Sequence, residues 1–471
     1  MRATGYVRVL PWQANSRKKG ANVVARMPGF PDLMGLARSR AVADLAVTAG
    51  GRGVQLLLAL AGNVASARAL GPADFGRFGV IMATVMICGT LADVGLTQAA
   101  VKYIAREREP TIRYDAARVY LVLRPVSGAL VTLLGLLITA PIAGVVLGYP
   151  DLTPYLQLAF LTLLSLSISS YPGTALLGLG LFGRLGLAGV LNAGITVGGI
   201  LLLLLAGRLD LGTLVAWNVI VPLASSVPAW LLLPREWLPW RLSSGGMHAL
   251  RLLLRRGGLA WRMLGFGKWM GLATLGSIVA IQADVLLLGR LSTPETVGIY
   301  SVALALAMRL DTLNQSLIMV MLPRANRLEG EPDIRGYSRR VLGGSLALAL
   351  LLGVAVFLAQ PLIELLYGES YRASAGLFVV LLSVVLFDLA TSSLFLVALP
   401  LEKPQVLAVA EWLRVATIVV AGWLLIPLYG GFGAAISRLL SRVGGAAYSL
   451  WALRRALNAA TSKETDSLPG D

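Results

Sequence analysis

Residues 45–100 decide what kind of protein this is: LAVTAGGRGVQLLLALAGNVASA (45–67), RALGPADFGR (68–77) and FGVIMATVMICGTLADVGLTQAA (78–100). Two long apolar runs flank a short joint that carries Gly71-Pro72. A helix needs about 20 mostly apolar residues to cross the hydrocarbon core of a bilayer. A Gly-Pro pair interrupts a helix, because proline lacks the N–H that the preceding turn would use. The stretch therefore predicts two spanning helices joined by a tight turn.

Working outward, ten further runs of the same kind lie near 119–143, 153–181, 185–206, 211–233, 265–289, 300–322, 341–365, 374–398, 405–428 and 432–453. The predicted fold is an all-α polytopic membrane protein of twelve transmembrane helices. The composition of the 471-residue chain agrees, with 56% of residues in the hydrophobic set and 14% charged. Soluble domains carry about 25% charged residues, so a string of soluble domains is excluded. A single cysteine, Cys88, excludes an intrachain disulfide framework and a thiolate metal site. A single histidine, His248, removes His-rich metal centres and most His-based acid–base chemistry. No cofactor, metal or catalytic residue is expected, and the chain does not read as an enzyme.

Charge orients the layout. The net charge is +17, from 41 Lys+Arg against 24 Asp+Glu. With the N-terminus inside, 29 of the basic residues fall in inner segments, 5 in outer loops and 7 within spans. Such a bias marks the cytoplasmic side, so both termini are expected there, in a plasma (inner) membrane, and the excess charge needs no nucleic acid. The organisation that follows is a basic tail (1–44), a six-helix lobe (45–233), a basic cytoplasmic or interfacial linker (234–264), a second six-helix lobe (265–455) and a short tail (456–471). The tail lacks the hydrophobic core and cleavage site of a secretory signal. Within the linker, 247–263 suits a basic helix lying on the inner leaflet, or an ordinary retention anchor.

A shift of 222 residues superposes the two halves. Arg68, Pro72, Gly76 and Val80 fall on Arg290, Pro294, Gly298 and Val302, and Leu91, Lys102 and Val119 fall on Leu313, Arg324 and Val341. Six helices per half is an even number, so both halves enter the membrane in the same direction. That predicts a parallel repeat about an axis along the membrane normal, a transporter architecture with its substrate between the halves.

Ionisable groups inside a bilayer are costly and usually face the bundle interior. Arg309-Leu310-Asp311-Thr312-Leu313-Asn314-Gln315-Ser316 sits near the middle of the eighth span. At helical spacing Leu306, Leu310, Leu313 and Leu317 share one stripe expected to face lipid, while Arg309, Asp311, Asn314 and Gln315 occupy the other arc. The wet arc lines a lumen or forms a buried network that orients the helix. Arg52 interrupts the first span beside three glycines, and Asp93 lies at similar depth in the second, so a pairing between them competes with a substrate role. Arg438 and Arg442, four apart on the twelfth span, share one face. They call for an anion such as phosphate, or for Asp284 or Asp388 as partners. Asp93, Asp284 and Asp388 are the candidates for coupling an ion. Snorkelling toward the inner surface accounts for Arg124, Lys268 and Arg414.

One further pattern has a counterpart in a known family. Ala69-Leu70-Gly71-Pro72-Ala73-Asp74-Phe75-Gly76-Arg77-Phe78, then Leu91-Ala92-Asp93-Val94-Gly95-Leu96, resembles the opening of the polysaccharide-biosynthesis flippases. These form the oligosaccharidyl-lipid branch of the MOP exporter superfamily. Gln282-Ala283-Asp284-Val285 and Ile426-Pro427-Leu428-Tyr429-Gly430 also look like that family, and the likeness covers roughly 45–455. The resemblance implies a flippase that carries polyprenyl-pyrophosphate-linked oligosaccharide outward by alternating access, with Arg52, Arg309, Arg438 and Arg442 as cations for the pyrophosphate. Its implied partners are the lipid-linked oligosaccharide, membrane lipids and polysaccharide polymerase or export proteins. The rivals are a multidrug or organic-cation antiporter and a lipid II flippase of the same superfamily. A membrane glycosyltransferase needs a larger outer loop than the spans leave.

Overall fold

The computed structural model describes residues 40–107, 109–242, 258–325, 353–354, 356–398 and 404–465, with the backbone alone at 40–49, 269, 311–325, 390, 392–398, 404–408 and 453–465. Two units divide the chain, Met1–Ala49 and Gly50–Asp471. The described part of the first, 40–49, is helical. All other elements belong to the second, and among the described residues they are helices and turns.

The opening stretch forms α1, Arg40–Asp93. Its 44 residues from Gly50 onward would run about 66 Å as one rod, twice a hydrocarbon core of about 30 Å. The rod is broken at Gly71, which takes φ 71° and ψ 173° ahead of Pro72, so two passes replace one. The expected joint of 68–77 thus contracts to a single residue. The second pass also ends sooner than expected. Asp93 is followed by Val94 at φ 46° and Gly95 at φ 72°, and Val94 is the one non-glycine residue with positive φ among those described. A new helix, α2 (Leu96–Arg106), follows.

Next come α3 (Pro110–Pro141) with a π-helical end (Ile142–Leu147), α4 (Thr153–Ser169), α5 (Tyr171–Gly178), α6 (Phe182–Leu205) and α7 (Leu211–Leu232). Asp210 and Thr213 form a reciprocal capping box that starts α7 cleanly. A short α8 (Pro239–Leu242) leads toward α9 (Leu259–Leu291), α10 (Pro294–Ala325) and α11 (Val356–Tyr367). Then come α12 (Ser374–Ala398), α13 (Pro404–Tyr429) and α14 (Gly431–Thr465). The start of α9 precedes the expected 265. Most of the in-plane segment 247–263 and most of the ninth expected span, 341–365, lie outside the described residues, so the number twelve stands as an expectation. Among the described residues seven helical stretches are long and apolar enough to cross a membrane, and the protein is a multi-pass membrane protein.

Among the described residues two buried cores hold the helices. The larger joins both halves at the end of the bundle that carries Gly71: Phe75, Val80 and Ile81 of α1 pack with Leu156 and Phe160 of α4, Leu288 of α9, and Tyr300 and Ala303 of α10. The smaller, at the opposite end, combines Leu96, Ala99 and Ile104 of α2 with Tyr120, Tyr171 and Trp237, and also with Leu259, Ala260 and Met263 of α9. The first turns of α9 are therefore packed with the N-terminal half.

The joint between the halves is built from backbone. A Cβ on Gly76 would overlap the Pro294 carbonyl and one on Gly298 would overlap the Pro72 carbonyl, while Gly79 faces Ser301. Under the 222-residue offset the first two contacts exchange with each other, and Gly79 faces its own counterpart. Only glycine permits this approach. One expectation fails here. Leu306 is buried and Leu310 packs against the larger core, so the described part of that stripe faces protein, not lipid. Apolar side chains pack as well on helices as on lipid tails, so a leucine stripe alone does not choose between them.

Candidate functional site

The most enclosed charges sit where α9, α10 and α14 meet. Asp284 is seven residues from the end of α9 and Arg438 seven from the start of α14, so both lie about 10 Å below the same end of the bundle. Arg438 Nε donates to Asp284 Oδ2 at 2.6 Å and Nη2 to Oδ1 at 3.1 Å. The Tyr300 hydroxyl also donates to Oδ2, and the Val285 N–H donates to Oδ1 at 2.9 Å. Each carboxylate oxygen thus accepts two hydrogen bonds, which uses its acceptor positions and leaves none for a cation. Arg438 Nη2 also reaches the Ile281 carbonyl, and Nη1 is buried with no partner among the described residues. The ion pair is sealed, with side-chain exposures of 2% and 0%. Burying it costs desolvation, which the four hydrogen bonds to the carboxylate offset.

One turn further along α14, Arg442 stands 3.4 Å from Asp388 of α12. The two arginines on one face of the last helix therefore meet the two carboxylates the sequence offered them, on two different helices. This pair is looser, with side chains 18% and 17% exposed.

A second network lies near the other end of the N-terminal half. Arg124 Nε is 3.3 Å from Asp93 Oδ1, and its Nη1 donates to Ser167 at 2.9 Å. Asp93 also accepts from Thr97, whose oxygen meets the Tyr120 hydroxyl at 3.0 Å; that hydroxyl in turn donates to Ser170 at 3.0 Å. Arg124 is buried and does not snorkel. The sequence reading missed it as a partner for Asp93 because α3 begins well before the apolar run and carries Arg124 deeper. Arg52 is half-buried on α1 among its glycines, and Gln55, one turn on, donates to the Gly186 carbonyl of α6 at 3.3 Å. Glu411 and Arg414 pair within α13 at 2.7 Å.

Arg309 lies on α10, about 22 Å from its start. Nη1 donates to the Ala305 carbonyl at 2.7 Å and Nη2 to the Ala59 carbonyl of α1 at 2.8 Å, so this cation bridges the two halves. Its Nε is buried without a partner, and no carboxylate pairs with it among the described residues. The side chains of Asp311, Asn314 and Gln315 lie outside the described residues, although their backbone continues α10. Among the described residues no group of three metal-ligating side chains occurs.

Comparison with known proteins places this architecture. Residues 41–329, more than half of the chain, match the family described as polysaccharide biosynthesis protein. No curated protein sequence matches the chain. Among solved structures, an inward-facing multidrug resistance MATE family transporter of the MOP superfamily is similar at TM-score 0.65 and 17% identity, over 87% of this chain and 96% of that one. Lipid II flippase MurJ, in an inward closed conformation, is similar at 0.61 and 10% identity, over 86% and 87% of the two chains. A eukaryotic MATE transporter gives 0.60 at 14% identity, over 88% and 95%. The fold is the one these transporters share; at such identities the likeness does not extend to their cargo.

Proposed function

We propose that this chain, which belongs to the polysaccharide biosynthesis protein family, is a flippase for polyprenyl-pyrophosphate-linked oligosaccharide. It carries the lipid-linked sugar from the inner to the outer leaflet of the plasma membrane by alternating access between its halves. The Lys/Arg-rich segments face the cytoplasm, and a polymerase or export protein takes up the product outside.

One observation supports this cargo over an organic cation. Asp93, Asp284, Asp388 and Glu411 stand against Arg124, Arg438, Arg442 and Arg414, and Glu364 stands against Arg372. Each described carboxylate within the bundle is thereby neutralised. Arg309, at the junction of the halves, meets only carbonyl oxygens among the described residues. A diphosphate needs a guanidinium with no resident anion, because charge-assisted bonds then form without displacing one. An organic cation needs the reverse, and the described residues offer it no unneutralised carboxylate.

The test is the leaflet distribution of polyprenyl-pyrophosphate-linked glycan in cells depleted of the protein and complemented. Depletion should raise the cytoplasmic-leaflet pool, and wild type should restore it where Arg309→Ala does not. Unchanged pools on depletion would overturn the reading.

A further inference from the structure

The last carbonyls of a helix have no partner within it. At the Gly71 end of the bundle, such carbonyls are taken up by the opposite half. Tyr371, in the turn after α11, donates to the Ala67 carbonyl at 2.8 Å, just before the break in α1. Tyr149, in the turn after the π-helical end of α3, donates at 3.1 Å to the carbonyl of Ser292, the residue that caps α9. Positions 149 and 371 differ by the 222 residues that superpose the halves.

One arginine follows the same rule. Arg68 Nη2 donates to the Leu365 carbonyl at 2.7 Å. Arg290, its counterpart, packs on Gly148 so closely that a Cβ there would lie 2.7 Å from its Nη1. Each half thus sends a tyrosine from a turn onto the backbone of the other, with acceptors Ala67 and Ser292 that lie three residues from exact equivalence, and an arginine from a helix end, Arg68 or Arg290, lies against the facing half.

We propose that Tyr149 and Tyr371 are paired gate residues that hold the halves closed at the outer side, and that both hydroxyls must let go before the halves part there. This rests on the alternating-access reading above. The chemistry suits a gate that opens in every cycle. A neutral phenol–carbonyl bond contributes about 1 kcal/mol net, whereas separating a buried ion pair strands a charge. Burial pushes both phenols above their ordinary range, so they remain protonated donors at neutral pH.

The seam also reaches the candidate substrate cation. Tyr367, whose ring packs against Tyr371, donates to Asn63 Oδ1 at 2.8 Å, and Arg309 reaches the Ala59 carbonyl. The acceptors at 59, 63 and 67 recur every four residues on one face of α1. A ligand that draws Arg309 away from Ala59 removes the rung below the gate.

The experiment places spin labels at Ala73 and Glu295, exposed counterparts at the outer ends of α1's second pass and α10. The background is Cys88→Ala, in lipid nanodiscs without glycan, and pulsed EPR reads the distance. Wild type should give one short population. Tyr149→Phe and Tyr371→Phe should each raise the ratio of a longer population about fivefold, and the double variant more than either. Arg68→Gln, which removes the bond to the Leu365 carbonyl, should move it in the same direction. An unchanged distribution in folded double variants, or an effect from only one tyrosine, would overturn the gate. The readout involves no substrate, so a shifted distance without glycan transport supports the gate and overturns only the cargo.

Discussion

In the C-terminal half, Asp284, Arg438 and Tyr300 form a cluster whose ion-paired side chains are 0% and 2% exposed. In the N-terminal half, Asp93 and Arg124 keep 22% and 9%, and serine, threonine and tyrosine hydroxyls extend the network. The 222-residue offset carries neither cluster into the other half. Asp284, Tyr300 and Arg438 would fall on Gly62, Phe78 and Ala216; Asp93, Arg124 and Ser167 would fall on Gln315, Leu346 and Leu389. The backbone contacts of Gly76 and Gly298 do obey it, and so do the positions of the tyrosines at 149 and 371, although their acceptors, Ser292 and Ala67, are three residues out of step. Scaffold contacts are shared between the halves, and the two buried ion-pair networks are not.

That contrast can be broken by substitution. Asp284→Ala leaves Arg438 charged and buried without its carboxylate, and should cost about 3–5 kcal/mol. Size-exclusion yield and melting temperature in detergent report the loss, and Asp284→Leu with Arg438→Leu should recover most of it. A single variant that melts like wild type would show that the cluster is open to water. Gly76→Ala and Gly298→Ala should each cost about 1–3 kcal/mol through overlap with a carbonyl. If the joint is self-complementary the two melting shifts match, and a clear inequality breaks the symmetry. Asp93→Asn keeps a hydrogen-bonding side chain near water, so about 1–2 kcal/mol is expected from the same melting assay. Arg442→Gln, at the looser pair, should change stability least, by about 1 kcal/mol; a larger drop would place that pair with the sealed cluster.

Much of the fold was legible from hydropathy. The bounds of α12 coincide with the expected 374–398, and α6, α7 and α13 come within a few residues of their runs. What hydropathy could not show is where a helix breaks without a polar loop. Val94-Gly95 is apolar, so the interruption there depends on backbone dihedrals alone. Partner choice was legible where geometry left few options: Arg438 and Arg442 lacked an acid on their own span, and Asp284 and Asp388 supplied it. It was not legible for Arg124, because depth along α3 depends on a helix start that precedes the apolar run. The tyrosine gate was hidden for another reason. Its acceptors are carbonyls, which every residue carries, so no residue type marks them.

The most direct test of cargo is reconstitution. Purified protein goes into liposomes loaded on both leaflets with a fluorescent polyprenyl-pyrophosphate-linked sugar, and a membrane-impermeant quencher reads the outer fraction over time. The account predicts that wild type makes the protected pool accessible, and that Arg309→Ala slows this at least tenfold while melting within a few degrees of wild type. A protected pool that stays protected beside wild-type protein, while an organic cation moves across the same membranes, would contradict it.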